Sequence, residues 1–112
     1  MTGSSQLIAE ITDVSVTILE SEPPILVVHA SGKVSSGGWS HPGLSRVVYI
    51  TPPADGIQDY NFMATPPANQ AIDVMTPIAA EDRWHNPPEW LKGVRVKSAT
   101  NSMEEAALLV NN

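Results

Sequence analysis

The chain is predicted to be all-β, a two-sheet antiparallel sandwich of immunoglobulin-like Greek-key outline with a short C-terminal helix. Three observations predict it. Four Pro-Pro pairs, Pro23-Pro24, Pro52-Pro53, Pro66-Pro67 and Pro87-Pro88, punctuate the chain. Proline lacks an N–H and fixes φ, so a pair belongs neither in a helix interior nor in a central strand. Between them lie seven or so short alternating segments, with turn signals every eight to twelve residues, the spacing of a sandwich. Finally, no helical run of ten or more residues joins two strands, which excludes parallel βαβ units.

The elements follow in order. Leu7 to Leu19 alternates, but Leu7, Ala9 and Ile11 share one parity while Val14, Val16 and Ile18 take the other. A slip at Thr12-Asp13 predicts a bulge or a turn between two strands. Glu20 to Pro24 ends that unit. Ile25 to Ala30 is a dense apolar run, read as a central strand buried on both sides. Ser31 to Gly43, rich in Gly and Ser, reads as a long irregular connection carrying Trp39 and His41. Leu44 to Thr51 is the next strand, with Val48 and Ile50 on one face and Val47 and Tyr49 on the other. Asp55-Gly56 is a turn signal, since glycine accepts positive φ.

Ile57 to Thr65 is a strand with Gln58, Tyr60, Phe62 and Ala64 in one register and the wetter Asp59 and Asn61 opposite. Gln70 to Ala80 alternates through Ile72, Val74 and Thr76, and Pro77 makes it an edge strand or splits it. Glu81 to Leu91 reads as a loop. Gly93 to Ala99 is the last strand, with Val94 and Val96 inward. Thr100 to Leu109 is the helical candidate: Ser102 and Glu105 fit a capping box, while Met103, Ala106, Ala107 and Val110 fall at helical spacing. The expected core is Ile11, Val16, Ile18, Val27, Val48, Ile50, Tyr60, Phe62, Ile72, Val74, Val94 and Val96.

Its 112 residues make one domain, 1–112, with 1–6 expected to be disordered and 100–110 a short helix. A domain of this size buries roughly 65% of its unfolded surface, enough for a core without staples. Cysteine is absent, which closes thiol chemistry and suits a reducing compartment. The N-terminus has neither a basic nor an apolar signal region, and no apolar run approaches the roughly 20 residues of a membrane helix. A cytoplasmic location and no membrane partner are therefore expected. The formal net charge is -6 and no three of the six basic residues are adjacent, which argues against nucleic acid as a partner.

Chemistry is hard to build from these residues. His29, His41 and His85 match no metal-ligand spacing, even with Asp55 or Asp82 added, so neither a metal nor another cofactor is expected. His29 sits inside an apolar strand, where a hydrogen-bonded core histidine is the ordinary explanation. Ser40-His41 and Ser36-Gly37-Gly38 have loop composition rather than that of a nucleophile elbow, and no catalytic residue is assigned. Gly37-Gly38 lacks the lysine and the helix of a phosphate loop.

The aromatics are the unusual candidates. Trp39, Trp84 and Trp90 all fall in expected loops, where indoles either stack on a partner or close the ends of a sandwich as lids. A second arrangement is a ligand pocket lined by Trp39, Tyr49, His41, Trp84 and His85, because each of the two histidines lies within two residues of a tryptophan.

Taken together, Ser36-Gly37-Gly38-Trp39, the stretch Tyr49 to Phe62, Ala64-Thr65-Pro66-Pro67 and the stretch Trp90 to Val96 resemble a family of small uncharacterised bacterial proteins. The resemblance covers most of the chain after Gly32. It implies a compact β-sandwich and carries over no catalytic or binding residue. On these grounds the expectation is a non-enzymatic binding or accessory module for a protein or peptide partner, using the loop tryptophans or an edge near Gln70 to Thr76. The alternative is a small ligand-binding protein or enzyme using the Trp/His pocket.

Overall fold

The computed structural model describes residues 4–68 and 73–107. All of its regular structure is strand: β1 (Gln6–Leu7), β2 (Glu10–Leu19), β3 (Ile25–Val34), β4 (Ser40–Arg46), β5 (Ile57–Thr65), β6 (Thr76–His85), β7 (Gly93–Lys97) and β8 (Ser102–Ala106). Two sheets form. One runs β1-β5-β7-β8 with β4 also on β5, and the other runs β2-β3-β6. Among the described residues no helix is long and apolar enough to cross a membrane.

The two sheets share one core, sandwich-like. Ile8, Ile11, Val14, Leu26, Val28, Ala30 and Val34 meet Tyr60, Phe62, Ala64, Val94 and Val96, all buried. Burial alternates strictly along β5, so Gln58 lies inward with Tyr60, Phe62 and Ala64. Its amide is satisfied there, donating Nε2–H to the carbonyls of Val47 (2.8 Å) and Asp59 (2.9 Å). The expected parity slip is a register shift between Ile11 and Asp13 on β2, a bulge that keeps both Ile11 and Val14 inward. β3 is the middle strand of its sheet, with one face buried and the other half-buried rather than dry on both. Pro77 lies opposite Lys33 on β6, an edge strand, where proline is tolerated.

Several expectations are corrected. The C-terminal helix does not form over Ser102–Ala106; that segment is β8, antiparallel to β7 with Val96 opposite Met103. A two-turn helix is marginal alone, whereas a strand here satisfies the otherwise open β7 edge. Residues 108–110 lie outside the described residues. The sheets are not wholly antiparallel, because β5 and β7 run parallel. Such a pair needs a crossover, and β6 in the opposite sheet supplies it in place of a helix.

Other boundaries move as well. The connection from Ser31 shrinks because β3 continues to Val34, and β4 starts at Ser40 and stops at Arg46. The expected loop from Glu81 is strand as far as His85, with backbone bonds to β3 taking up its polar groups. Gln6, assigned to a disordered start, lies in β1, and residues 1–3 are outside the described set. In the expected core, Val16, Ile18 and Val27 are only half-buried, while Val48, Ile50 and Val74 are exposed. Ile72 lies outside the described residues.

Candidate functional site

β4 and β6 belong to different sheets, and the corner where they meet is closed by side chains. Arg46 ends β4 and places its guanidinium 4.9 Å from the Trp84 ring centroid on β6. The same Arg46 pairs with Asp82, Nε to Oδ2 at 2.9 Å. Tyr60, buried on β5, donates its hydroxyl to that carboxylate across the core at 2.9 Å. One acidic group therefore ties both sheets together. Burial, followed by the charge and hydrogen bond of Asp82, pushes the Tyr60 phenol well above its ordinary value.

Beyond Arg46 the chain continues alongside β5. The Val47 N–H donates to the Asp59 carbonyl at 2.9 Å. Tyr49 donates its hydroxyl to Asp59 Oδ2 at 2.7 Å and accepts from the Asp59 N–H at 2.9 Å. Asp59 Oδ1 also receives Arg95 Nε at 2.7 Å, and Arg95 reaches Glu104 Oε1 on β8 at 2.9 Å. Burial alone raises the Asp59 carboxyl; the bonds from Arg95 and Tyr49, with the charges of Arg95 and Lys97, outweigh it and hold the group below the usual carboxylate range. Burial and the Asp59 bond push the Tyr49 phenol up.

The Tyr49 ring meets Trp90 edge-on at 6.5 Å, and Trp90 meets Trp84 in the same way at 6.5 Å. Three aromatics thus form one cluster over the corner. Between and beyond the anchored residues, Val48 is 92% and Ile50 103% exposed. The alternation expected for Val47 to Ile50 is correct in period and inverted in face. Tyr49 faces inward because its hydroxyl finds Asp59 and its ring finds Trp90, which turns the two aliphatic side chains outward.

The sequence candidates therefore separate into groups. Tyr49, Trp84 and Trp90 come together. Trp84 lies in strand β6, and His85, next along that strand, is exposed and points to the other side of the sheet. His41 lies at the far end of β4, with Nδ1 3.1 Å from Ser40 Oγ. Trp39 is partly buried against the core, and its indole N–H has no acceptor among the described residues. The expected Trp/His pocket thus does not assemble as one site. His29 is on β3, opposite Ser15 and Glu81. Among the described residues no group of three His, Asp or Glu side chains could hold a metal ion.

The sequence assigns no role to Arg46, Asp59 and Arg95, and it suggests Asp82 only as a metal partner for the histidines rather than as the link between the sheets. An arginine opening the apolar run Val47-Val48-Tyr49-Ile50 was the one available signal; the carboxylates, 10 to 36 residues from their partners, left none. No family model, no curated protein and no solved structure matches the chain.

Proposed function

We propose that this protein is a non-enzymatic binding module that recognises a protein partner through the β4–β6 corner, with Val48 and Ile50 as apolar anchors over the Tyr49–Trp90–Trp84 cluster. In this reading the two sheets serve as a scaffold of immunoglobulin-like outline that presents its contacts at one end. The observation that carries it is the full exposure of Val48 and Ile50 on a segment whose backbone and neighbouring side chain are pinned to β5. A flexible loop turns aliphatic residues inward at little cost. A pinned one holds them in water, and exposed clustered apolar groups mark interaction surfaces. Tyr and Trp beside them are the residue types that dominate binding energy at interfaces.

The test is a pulldown from the source lysate with the full chain as bait, comparing the wild type with the Val48→Ser/Ile50→Ser double variant. Both positions are exposed, so the variant should melt within a few degrees of the wild type. Specific partners should be retained by the wild type and lost, by tenfold or more, in the variant. An unchanged partner set would remove the corner from consideration.

A further inference from the structure

A second feature lies at the other end of β4. Gly38, Ser40, His41, Thr65, Pro66, Pro67 and Ala68 line an open groove of about 340 Å³, at the lower end of the range for ligand sites. Along β5 it is separated from the aromatic corner by the distance from Thr65, opposite Ser40, to Tyr60, opposite Arg46. That is roughly 17 Å of strand.

Two backbone features converge on the groove. β4 carries a register shift between Ser40 and Gly43, and bulges of this kind re-aim side chains. His41, inside that bulge, is held at φ 53°, in the left-handed region that few non-glycine residues occupy and where histidine is one of the better-tolerated types. Strain at a non-glycine residue persists where the surroundings impose it, and it concentrates at ligand sites. Gly38 at φ 85° opens the floor, since a Cβ there would stand 3.1 Å from Pro67 Cβ.

We propose that this groove binds a short, uncharged, extended peptide segment carrying an aromatic side chain. Among the described residues the lining carries no carboxylate, lysine or arginine, which favours an uncharged ligand. The Thr65 hydroxyl can donate and accept, and Ser40 keeps a lone pair free beside its bond to His41, so the two can meet backbone N–H and C=O groups of an extended chain. Ser40 holds His41 through Nδ1, leaving Nε2 for the ligand. Pro66 and Pro67 offer rigid C–H faces against which an aromatic ring of the peptide stacks. An open groove suits an extended chain better than a small molecule that must be engulfed.

Amide NMR on the full-length protein tests this, with acetyl-Gly-Tyr-Gly-amide as the probe and acetyl-Gly-Ala-Gly-amide and methyl glucoside as controls. The tyrosyl peptide should give saturable shifts at Ser40, His41 and Thr65, at least tenfold weaker with the alanyl peptide, while Tyr49, Trp84 and Trp90 stay still. His41→Gly should weaken binding at least tenfold while leaving the melting temperature equal or higher, because glycine relieves the positive φ. The proposal is overturned by an absence of saturable shifts up to millimolar peptide, by shifts confined to the aromatic corner, by equal or stronger response to the sugar, or by unchanged binding in His41→Gly. Failure of the groove leaves the Val48/Ile50 corner standing, because the pulldown with the Val48→Ser/Ile50→Ser variant examines that corner separately.

Discussion

Val48 and Tyr49 are adjacent, yet one points into solvent and the other into a network, and Asp59 makes the difference. Its carboxylate takes a hydroxyl and a guanidinium at 2.7 Å each. Because the folded-state carboxyl lies below its unfolded value, the stability it contributes is present above about pH 4 and lost as pH falls through the folded value. Asp59→Asn should therefore cost roughly 1.5–3 kcal/mol at neutral pH, the scale of hydrogen bonds to a charged group. Urea titrations at pH 7 and pH 2 check this. The deficit should shrink at pH 2, and an equal deficit at both would show that the carboxylate charge is irrelevant. The chain's two tyrosines, Tyr49 and Tyr60, both have raised values. Folded protein at pH 10, where an ordinary phenol is half ionised, should accordingly show much less than half of its tyrosinate absorbance. Phe62, fully buried at the centre of β5, should cost about 3–5 kcal/mol on replacement by alanine, read from chemical denaturation.

At the scale of elements, one side chain stands in for a strand neighbour and one glycine makes a turn possible. Asn101, in the β7–β8 turn, accepts the Ile11 N–H at 2.8 Å and donates to the Ile11 carbonyl at 2.9 Å, so its side chain acts as a one-residue neighbour to the β2 edge. Asn101→Ala should destabilise by about 1–3 kcal/mol, and hydrogen exchange should speed up at the Ile11 amide before the rest of β2. Gly56 turns the chain into β5 at φ 72°, and a Cβ there would stand 2.9 Å from the Trp90 carbonyl. Gly56→Ala should lower the melting temperature by several degrees and disturb Trp90 fluorescence, whereas Gly37→Ala, with open space around it, should do neither.

These elements also show what was legible. Local chemistry was: the Thr12-Asp13 slip, the Asp55-Gly56 turn, the edge character of Pro77, and β5, whose bounds and buried face both follow from alternation. Choices made by distant partners were not. Ser102 to Ala107 satisfies a capping box and a strand equally well, and β7 decides between them. Val47 to Ile50 has two usable faces, and Asp59 with Trp90 decides which turns inward. For the site, Tyr49, Trp84 and Trp90 were legible as aromatics of interest. Their convergence was not, because nothing local signals a contact between Arg46 and Asp82, 36 positions apart.

As a whole the molecule is elongated, 51 × 27 × 24 Å, so features on different parts of β4 are presented to different surroundings. Its net charge of -6 resists self-association, yet Val48 and Ile50 stand in water at one corner. On that combination rests the proposed interface: two sheets on which Val48, between the anchored Val47 and Tyr49, and the next-but-one Ile50 stand exposed near three clustered aromatics. The most direct measurement places a photo-crosslinking residue at Val48 and, separately, at Met103 on β8, across β5 and β7 from β4, then irradiates each in the source lysate. An interface at this corner gives a discrete adduct at position 48 that is missing at position 103 and is suppressed by excess unlabelled wild-type protein. The same adducts at both positions, or none at 48, would contradict it.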